Sequence, residues 1–181
     1  MQSIILAAGM GKRLQELTKD NTKCMVKVNG VTMIERCLRI LDKKNLSRIV
    51  IVIGYKGENL KEYVESLNIK TPVCYVNNFV YDKTNNIYSL ALAKEYLCAE
   101  DTLLLESDLI FEESLIDELL KDKRENLALV DKFENWMDGT CMKLDDEDCI
   151  TDFISGKCLK FGEKDNYYKT VNIYNTTLQL F

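Results

Sequence analysis

Four cations close behind two glycines carry the strongest chemical signal in this chain. Gly9-Met10-Gly11-Lys12-Arg13 follows a short apolar run, Ile4 to Ala8, and Lys23 and Lys27 come shortly after, ahead of Gly30. Glycines let backbone N–H groups approach a polyanion closely, and the cations neutralise it. The same loop can also be an ordinary strand-to-helix turn. A second group is Leu103-Leu104-Leu105-Glu106-Ser107-Asp108. An apolar strand there ends next to a carboxylate. Asp108 is placed either to hold Mg²⁺ against phosphate oxygens or to satisfy the free N–H groups of the next helix. A third is Tyr81-Asp82-Lys83-Thr84-Asn85-Asn86-Ile87-Tyr88-Ser89-Leu90. Its asparagines can cap a helix, and their amides can also meet a pyrimidine edge, since they offer donor and acceptor together. A fourth joins Asp131, Lys132 and Phe133 to Trp136, Met137 and Asp138. A lone tryptophan usually belongs to a core. Here it sits in a polar segment, where an aromatic face beside carboxylates suits a cationic ammonium group.

The elements that position these groups alternate along the first two thirds of the chain. Strands are expected at Ser3–Ala7, Arg48–Ile53, Val73–Tyr75 and Thr102–Glu106. Helices are expected around Met33–Lys43, Glu58–Leu67, Asn86–Leu97 and Glu112–Lys121. This spacing predicts parallel βαβ units in an α/β fold, with helices on both faces of a mostly parallel sheet. Beyond Leu127 the segments Leu127–Lys132, Gly139–Leu144, Ile150–Ile154 and Thr170–Tyr174 read as strands without helices between them. They predict a smaller mixed or antiparallel lobe. The run Asp145-Asp146-Glu147-Asp148 falls where a hairpin turn belongs and reads as solvated.

Composition narrows the classes. The chain has 181 residues, 46% apolar, with a single proline and no low-complexity tract. That suits one compact domain, with a first part over 1–125 and a second over 126–181, which the resemblance described below implies to be nucleotide-binding and acceptor-binding. The net charge is −5, which argues against nucleic-acid binding and an anionic membrane surface. No apolar run reaches the ~18 residues of a membrane span, and no secretory signal opens the chain. The seven cysteines form no Cys-x-x-Cys pair and read as free thiols in a reducing cytoplasm. Histidine is absent, so chemistry must run on carboxylates, lysines, arginines and a metal.

Leu6-Ala7-Ala8-Gly9-x-Gly11-x-Arg13-Leu14, followed by Leu17-Thr18, Lys23, Val28 and Gly30, resembles the amino-terminal motif of the MobA-like sugar-phosphate nucleotidyltransferase superfamily. These enzymes join an NTP to a phosphate-bearing acceptor and release pyrophosphate. Asn85-Asn86-Ile87-Tyr88-Ser89 resembles the corresponding loop of bacterial phosphocholine and 2-aminoethylphosphonate cytidylyltransferases, and the likeness continues through Lys169–Tyr174. The lack of histidine sets the chain apart from the other class of cytidylyltransferases, which depends on His-x-Gly-His.

The resemblance implies a Rossmann-like fold and transfer of CMP from CTP to 2-aminoethylphosphonate. Phosphocholine is the alternative acceptor. A sugar-1-phosphate nucleotidyltransferase and a non-catalytic nucleotide-binding domain are further alternatives. It implies that Lys23 and Arg13 act at the phosphates, and that Leu6, Ala7, Ala8, Gly9, Met10, Gly11, Lys12, Arg13, Asn78, Asn86, Ser89 and Ser107 bind the nucleotide. Asp108 would hold Mg²⁺. Asp82, Asp131, Trp136, Asp138 and Lys169 would hold a small zwitterionic acceptor. The superfamily's second metal ligand has no candidate after Thr170–Tyr174. The chain is therefore expected to be truncated at its C-terminus, with an aminotransferase fused or adjacent.

Overall fold

The structure is a computed structural model that describes residues 1–137, 139–159, 162 and 166–178, with only the backbone of Lys12. It divides into two compact units. One comprises Met1–Leu127 with the residues from Tyr174 on, and the other comprises Ala128–Ile173.

The first unit opens with β1 (Gln2–Ala7), whose residues are almost all buried. Two 3₁₀ segments, Lys12–Thr18 and Lys23–Met25, lead to a hairpin of β2 (Lys27–Val28) and β3 (Val31–Thr32). Its turn is Asn29-Gly30, both at positive φ (50° and 82°), as a tight hairpin requires. Then come α1 (Met33–Leu41), β4 (Ile49–Ile53), α2 (Gly57–Ser66) and β5 (Val73–Asn77). The short helices α3 (Asn86–Leu92) and α4 (Lys94–Leu97) precede β6 (Thr102–Glu106) and α5 (Glu113–Lys121).

The four main strands are parallel in the order β5-β4-β1-β6. This is the α/β architecture expected from the alternation. Side chains alternate between the sheet's faces. Ile4, Val50 and Val52 pack with Ala93 and Leu97 of the α3–α4 region. On the opposite face Gly57, at the start of α2, sits directly against the Ile53 side chain. Leu103 and Leu105 are also fully buried.

Register decides where chemistry can occur. Ala7 pairs with Ile53, Ile53 with Asn77, and Leu6 with Glu106. The strands therefore end along one line, and the segments starting at Ala8, Gly54, Asn78 and Ser107 leave the same edge. That carboxyl-end edge is where open α/β sheets bind ligands.

The second unit contains β8 (Cys141–Leu144), β9 (Ile150–Ile154) and most of β7 (Leu127–Lys132) and β10 (Tyr168–Thr176). β8 pairs antiparallel with β9 and with β10, and β7 lies beside β10. Asp145–Asp148 forms the β8–β9 turn. Asp145 Oδ1 there accepts from the Glu147 and Cys149 N–H groups at 3.0 and 2.8 Å.

Several local features differ from the sequence expectation, with β5 running on to Asn77 and β8 starting only at Cys141. The helix expected over Asn86–Leu97 breaks at Ala93 (φ −89°, ψ 13°), which is fully buried. The strand expected at Thr170–Tyr174 runs two residues further each way. The Lys27–Thr32 hairpin was not anticipated. No helix of the described residues is long and apolar enough to cross a membrane.

Candidate active site

A cavity of about 280 Å³ opens at the carboxyl edge of the parallel sheet. Leu6, Ala7, Gly9, Gly11 and Arg13 line it from the β1 side. Lys23 and Cys24 come from the second 3₁₀ turn, Asn86 from the start of α3, and Glu106, Ser107 and Asp108 from the end of β6. All of these belong to the first unit.

Lys23 Nζ donates to Asp108 Oδ2 in a close ion pair. The two groups come from segments 85 residues apart, and each is about one-third exposed or less. The glycine loop is built around this lysine. Gly11 adopts φ +61°, and a Cβ there would come within 2.9 Å of Lys23 Cβ and 3.0 Å of Thr18 Cγ2. Its carbonyl accepts from Thr18 Oγ1 at 3.2 Å and from the Leu14 N–H at 2.9 Å. Arg13 is exposed on the cavity wall.

Cys24 backs the lysine and is 1% exposed. Burial pushes its thiol up to about 11, while hydrogen bonds from Thr22 and Ser107 pull the other way. The group is therefore neutral at ordinary pH, so it adds no negative charge to a cavity suited to phosphates.

Other sequence candidates occupy different places. Asn78 and Ser89 are buried and bonded to each other. Asn78 Nδ2 donates to Ser89 Oγ and Thr84 Oγ1, both at 3.1 Å, and Asn78 Oδ1 accepts from the Val80 N–H at 3.0 Å. They hold the 78–89 loop and are absent from the cavity lining. Ala8 is buried, its carbonyl accepting from the Tyr55 N–H. Met10 is half-buried and does not line the cavity. Asp82 lines a separate open hollow with Lys83, Thr84, Asn85 and Tyr88. In the second unit, Asp131 is exposed and accepts from the Lys132 N–H, Trp136 is 80% exposed, and Lys169 Nζ donates to the Thr140 carbonyl at 3.2 Å. Asp138 and the Lys12 side chain lie outside the described residues.

The structure also adds two residues that the sequence reading had not placed in the site, Cys24 and Glu106. The available signal was position, since one directly follows Lys23 and the other stands two residues before Asp108.

The donor set fits a hard cation. Among the described residues no cluster of three or more carboxylate, thiol or imidazole ligands gathers. Two carboxylates line the cavity, Asp108 beside Lys23 and Glu106 beside Asn86. Mg²⁺ is commonly bound that way, through one or two carboxylates with waters and substrate phosphates. Bound at Asp108, it would supply charge neutralisation at the phosphates.

Glycine loop, lysine and carboxylate thus meet at the carboxyl edge of a parallel sheet in an α/β fold. The chain belongs to the MobA-like NTP transferase domain family, whose model matches residues 3–139. It is 30% identical to CTP:phosphoglutamine cytidylyltransferase of Campylobacter jejuni, over 94% of this chain and 69% of that protein. It is 42% identical to choline-phosphate cytidylyltransferase of Streptococcus pneumoniae, over 54% of this chain and 41% of that one. It is 37% identical to 2-aminoethylphosphonate cytidylyltransferase of Lancefieldella rimae, over 63% of this chain and 45% of that one. The chain thus spans less than half of the latter two relatives. The solved CTP:phosphocholine cytidylyltransferase of Streptococcus pneumoniae shares the fold, with a TM-score of 0.77 at 24% identity, covering 97% of this chain and 70% of that one.

Proposed function

We propose that this protein is a Mg²⁺-dependent cytidylyltransferase, passing CMP from CTP to a small amine-bearing phosphonate or phosphate, with 2-aminoethylphosphonate as the acceptor. The observation that carries the reading is the Lys23–Asp108 pair beside the Gly9–Arg13 loop, at the edge where all four parallel strands end. An acceptor oxygen attacks the α-phosphorus of CTP, its bond to that phosphorus forms, and the bond to pyrophosphate breaks. Acceptors of this kind are already largely ionised near neutral pH, with a second pKa around 6 for phosphate monoesters, so no general base is needed. Catalysis then consists of positioning and charge neutralisation. Backbone N–H groups of the glycine loop cradle the triphosphate, and Lys23 and Arg13 meet its charge.

Support for the amine comes from carboxylates. A primary ammonium has three N–H donors to satisfy, and the sequence offers carboxylates for it, Asp82 among them in an open hollow of the first unit. A trimethylammonium group prefers an aromatic cage. A second reading, phosphoglutamine as acceptor, is favoured by the relative that aligns over 94% of this chain. Pyrophosphate release from CTP, UTP and ATP paired with 2-aminoethylphosphonate, phosphocholine, phosphoglutamine and glucose-1-phosphate tests the reading. CTP with 2-aminoethylphosphonate is expected to give a kcat/KM at least about tenfold above the other pairs. Preference for phosphoglutamine would install the second reading, and turnover only with the sugar phosphate would refute both. A cytoplasmic setting accords with seven free thiols. The downstream reading frame tests the aminotransferase association.

A further inference from the structure

Glu106 is the second carboxylate of the cavity. It ends β6 and lines the same cavity as Arg13 and Lys23, but at the side of Asn86. The cations gather near Gly9–Arg13 and Lys23, so the triphosphate belongs there. Asn86 and Glu106 line the cavity together from the start of α3 and the end of β6, and an amide held there suits the edge of a base.

Asn86 Nδ2 donates to Glu106 Oε1 at 2.7 Å. An ionised carboxylate has only acceptors, whereas an asparagine amide has a donor end and an acceptor end. The pair therefore has a single polarity. Turning the amide over would set its carbonyl oxygen against a carboxylate oxygen. The amide nitrogen is committed to Glu106, and no described residue donates to Asn86 Oδ1.

We infer that Glu106 is a positioning residue for base selection. It fixes the Asn86 amide with Oδ1 toward the nucleotide, as an acceptor for the exocyclic amine of cytosine. The inference rests on the proposed function. Cytosine presents an amino donor at C4, where a uracil-type base presents a carbonyl acceptor. A free asparagine amide could rotate to serve either base, so Asn86 alone would not discriminate. With Glu106 beside it, UTP sets two acceptors face to face.

The test compares CTP and UTP, by titration calorimetry and by KM in pyrophosphate release, for the wild type, Glu106→Gln, Asn86→Ala and the double variant. Glutamine has nearly the size of glutamate but offers both donor and acceptor, so it lets the Asn86 amide turn over. Glu106→Gln is expected to narrow the CTP-over-UTP preference about tenfold, through a lower KM and Kd for UTP. Asn86→Ala is expected to remove most of the preference, and adding Glu106→Gln to it is expected to change nothing further. An unchanged ratio in folded Glu106→Gln, or a preference that survives Asn86→Ala, overturns the inference and leaves the cytidylyltransferase reading in place. So does a fall in kcat equal for both nucleotides, which marks a structural role, or a rise in acceptor KM alone, which marks an ammonium ligand. A wild type that does not prefer CTP overturns both readings.

Discussion

At the residue scale, the candidate site turns on the Lys23–Asp108 ion pair. Lys23→Ala is expected to lower kcat at least ~10²-fold, since an oriented charge on the transition state is worth about 3 kcal/mol. Steady-state pyrophosphate release measures it, and near wild-type turnover would remove Lys23 from the reaction. Asp108→Asn is expected to abolish Mg²⁺-dependent turnover with an unchanged circular dichroism spectrum, because Asp108 follows a complete strand. A variant that keeps its Mg²⁺ response would make Asp108 a structural partner of Lys23 only. Lys23, Arg13 and Asp108 could be grouped as candidates because their motifs resemble the superfamily's, and the structure brings all three to one cavity lining. Asn78 and Asn86 look alike in sequence, as amides of one polar loop. Only burial separates them, with one bonded inside the loop and the other facing the cavity. Glu106 was not legible because a carboxylate ending a strand has no periodic signature. Its meaning lies in a partner 20 residues away.

At the element scale, the glycine loop and the Lys23 turn are packed as one piece. Gly11→Ala would force a Cβ against Lys23 Cβ and place a left-handed residue without glycine's freedom. We expect kcat/KM for CTP to fall by roughly 10- to 100-fold, because a displaced lysine misplaces charge at the phosphates. Full activity in that variant would show that the loop can relax without moving Lys23. Helix α1 begins with an N-cap, Thr32 Oγ1 accepting from the Glu35 N–H at 3.1 Å. The Tyr63 hydroxyl donates to Glu35 Oε2 at 2.8 Å, tying α2 to that cap. Thr32→Ala is expected to cost about 1 kcal/mol in urea unfolding. Strands β6, β7 and β9 were readable to the residue, since apolar runs and turn residues bound them. The break between α3 and α4 was not, because Ala93 is a good helix former and only its contact with the sheet shows in the structure. The Asn29-Gly30 hairpin had its signal in plain view, but the two strands beside it are only two residues long.

At the scale of the whole molecule, the chain leaves its first unit after Leu127 and takes it up again at Tyr174. The change of pattern near residue 126 was visible as helices giving way to strands. The return was not, because a strand's sequence does not name its neighbour. The end of β10 is fastened where Thr176 Oγ1 donates to the Thr102 carbonyl at 3.3 Å. Stability of the first unit also has an acid limit. The amino group of Met1 foremost, then Arg48, hold the Glu100 carboxyl down to about 2, from an ordinary 4.5. A depressed carboxyl stabilises the fold above its unfolded value, and that contribution is lost as pH falls through the folded one. The urea midpoint is expected to drop between about pH 4.5 and about pH 2, and Glu100→Gln should flatten that drop. An equal slope in both proteins would assign the acid sensitivity elsewhere.

The buried thiol behind Lys23 gives the protein a built-in clock. Only a thiolate alkylates at a useful rate. Cys24 and Cys37 are 1% and 2% exposed, and burial pushes them up to about 11 and about 12. Cys98, Cys149 and Cys158 are exposed. Iodoacetamide at neutral pH will therefore label those surface positions first. Any later label on Cys24, followed by mass spectrometry, times the breathing of the wall beside the lysine. A nucleotide seated in the cavity must slow that tick while leaving the three surface labels untouched.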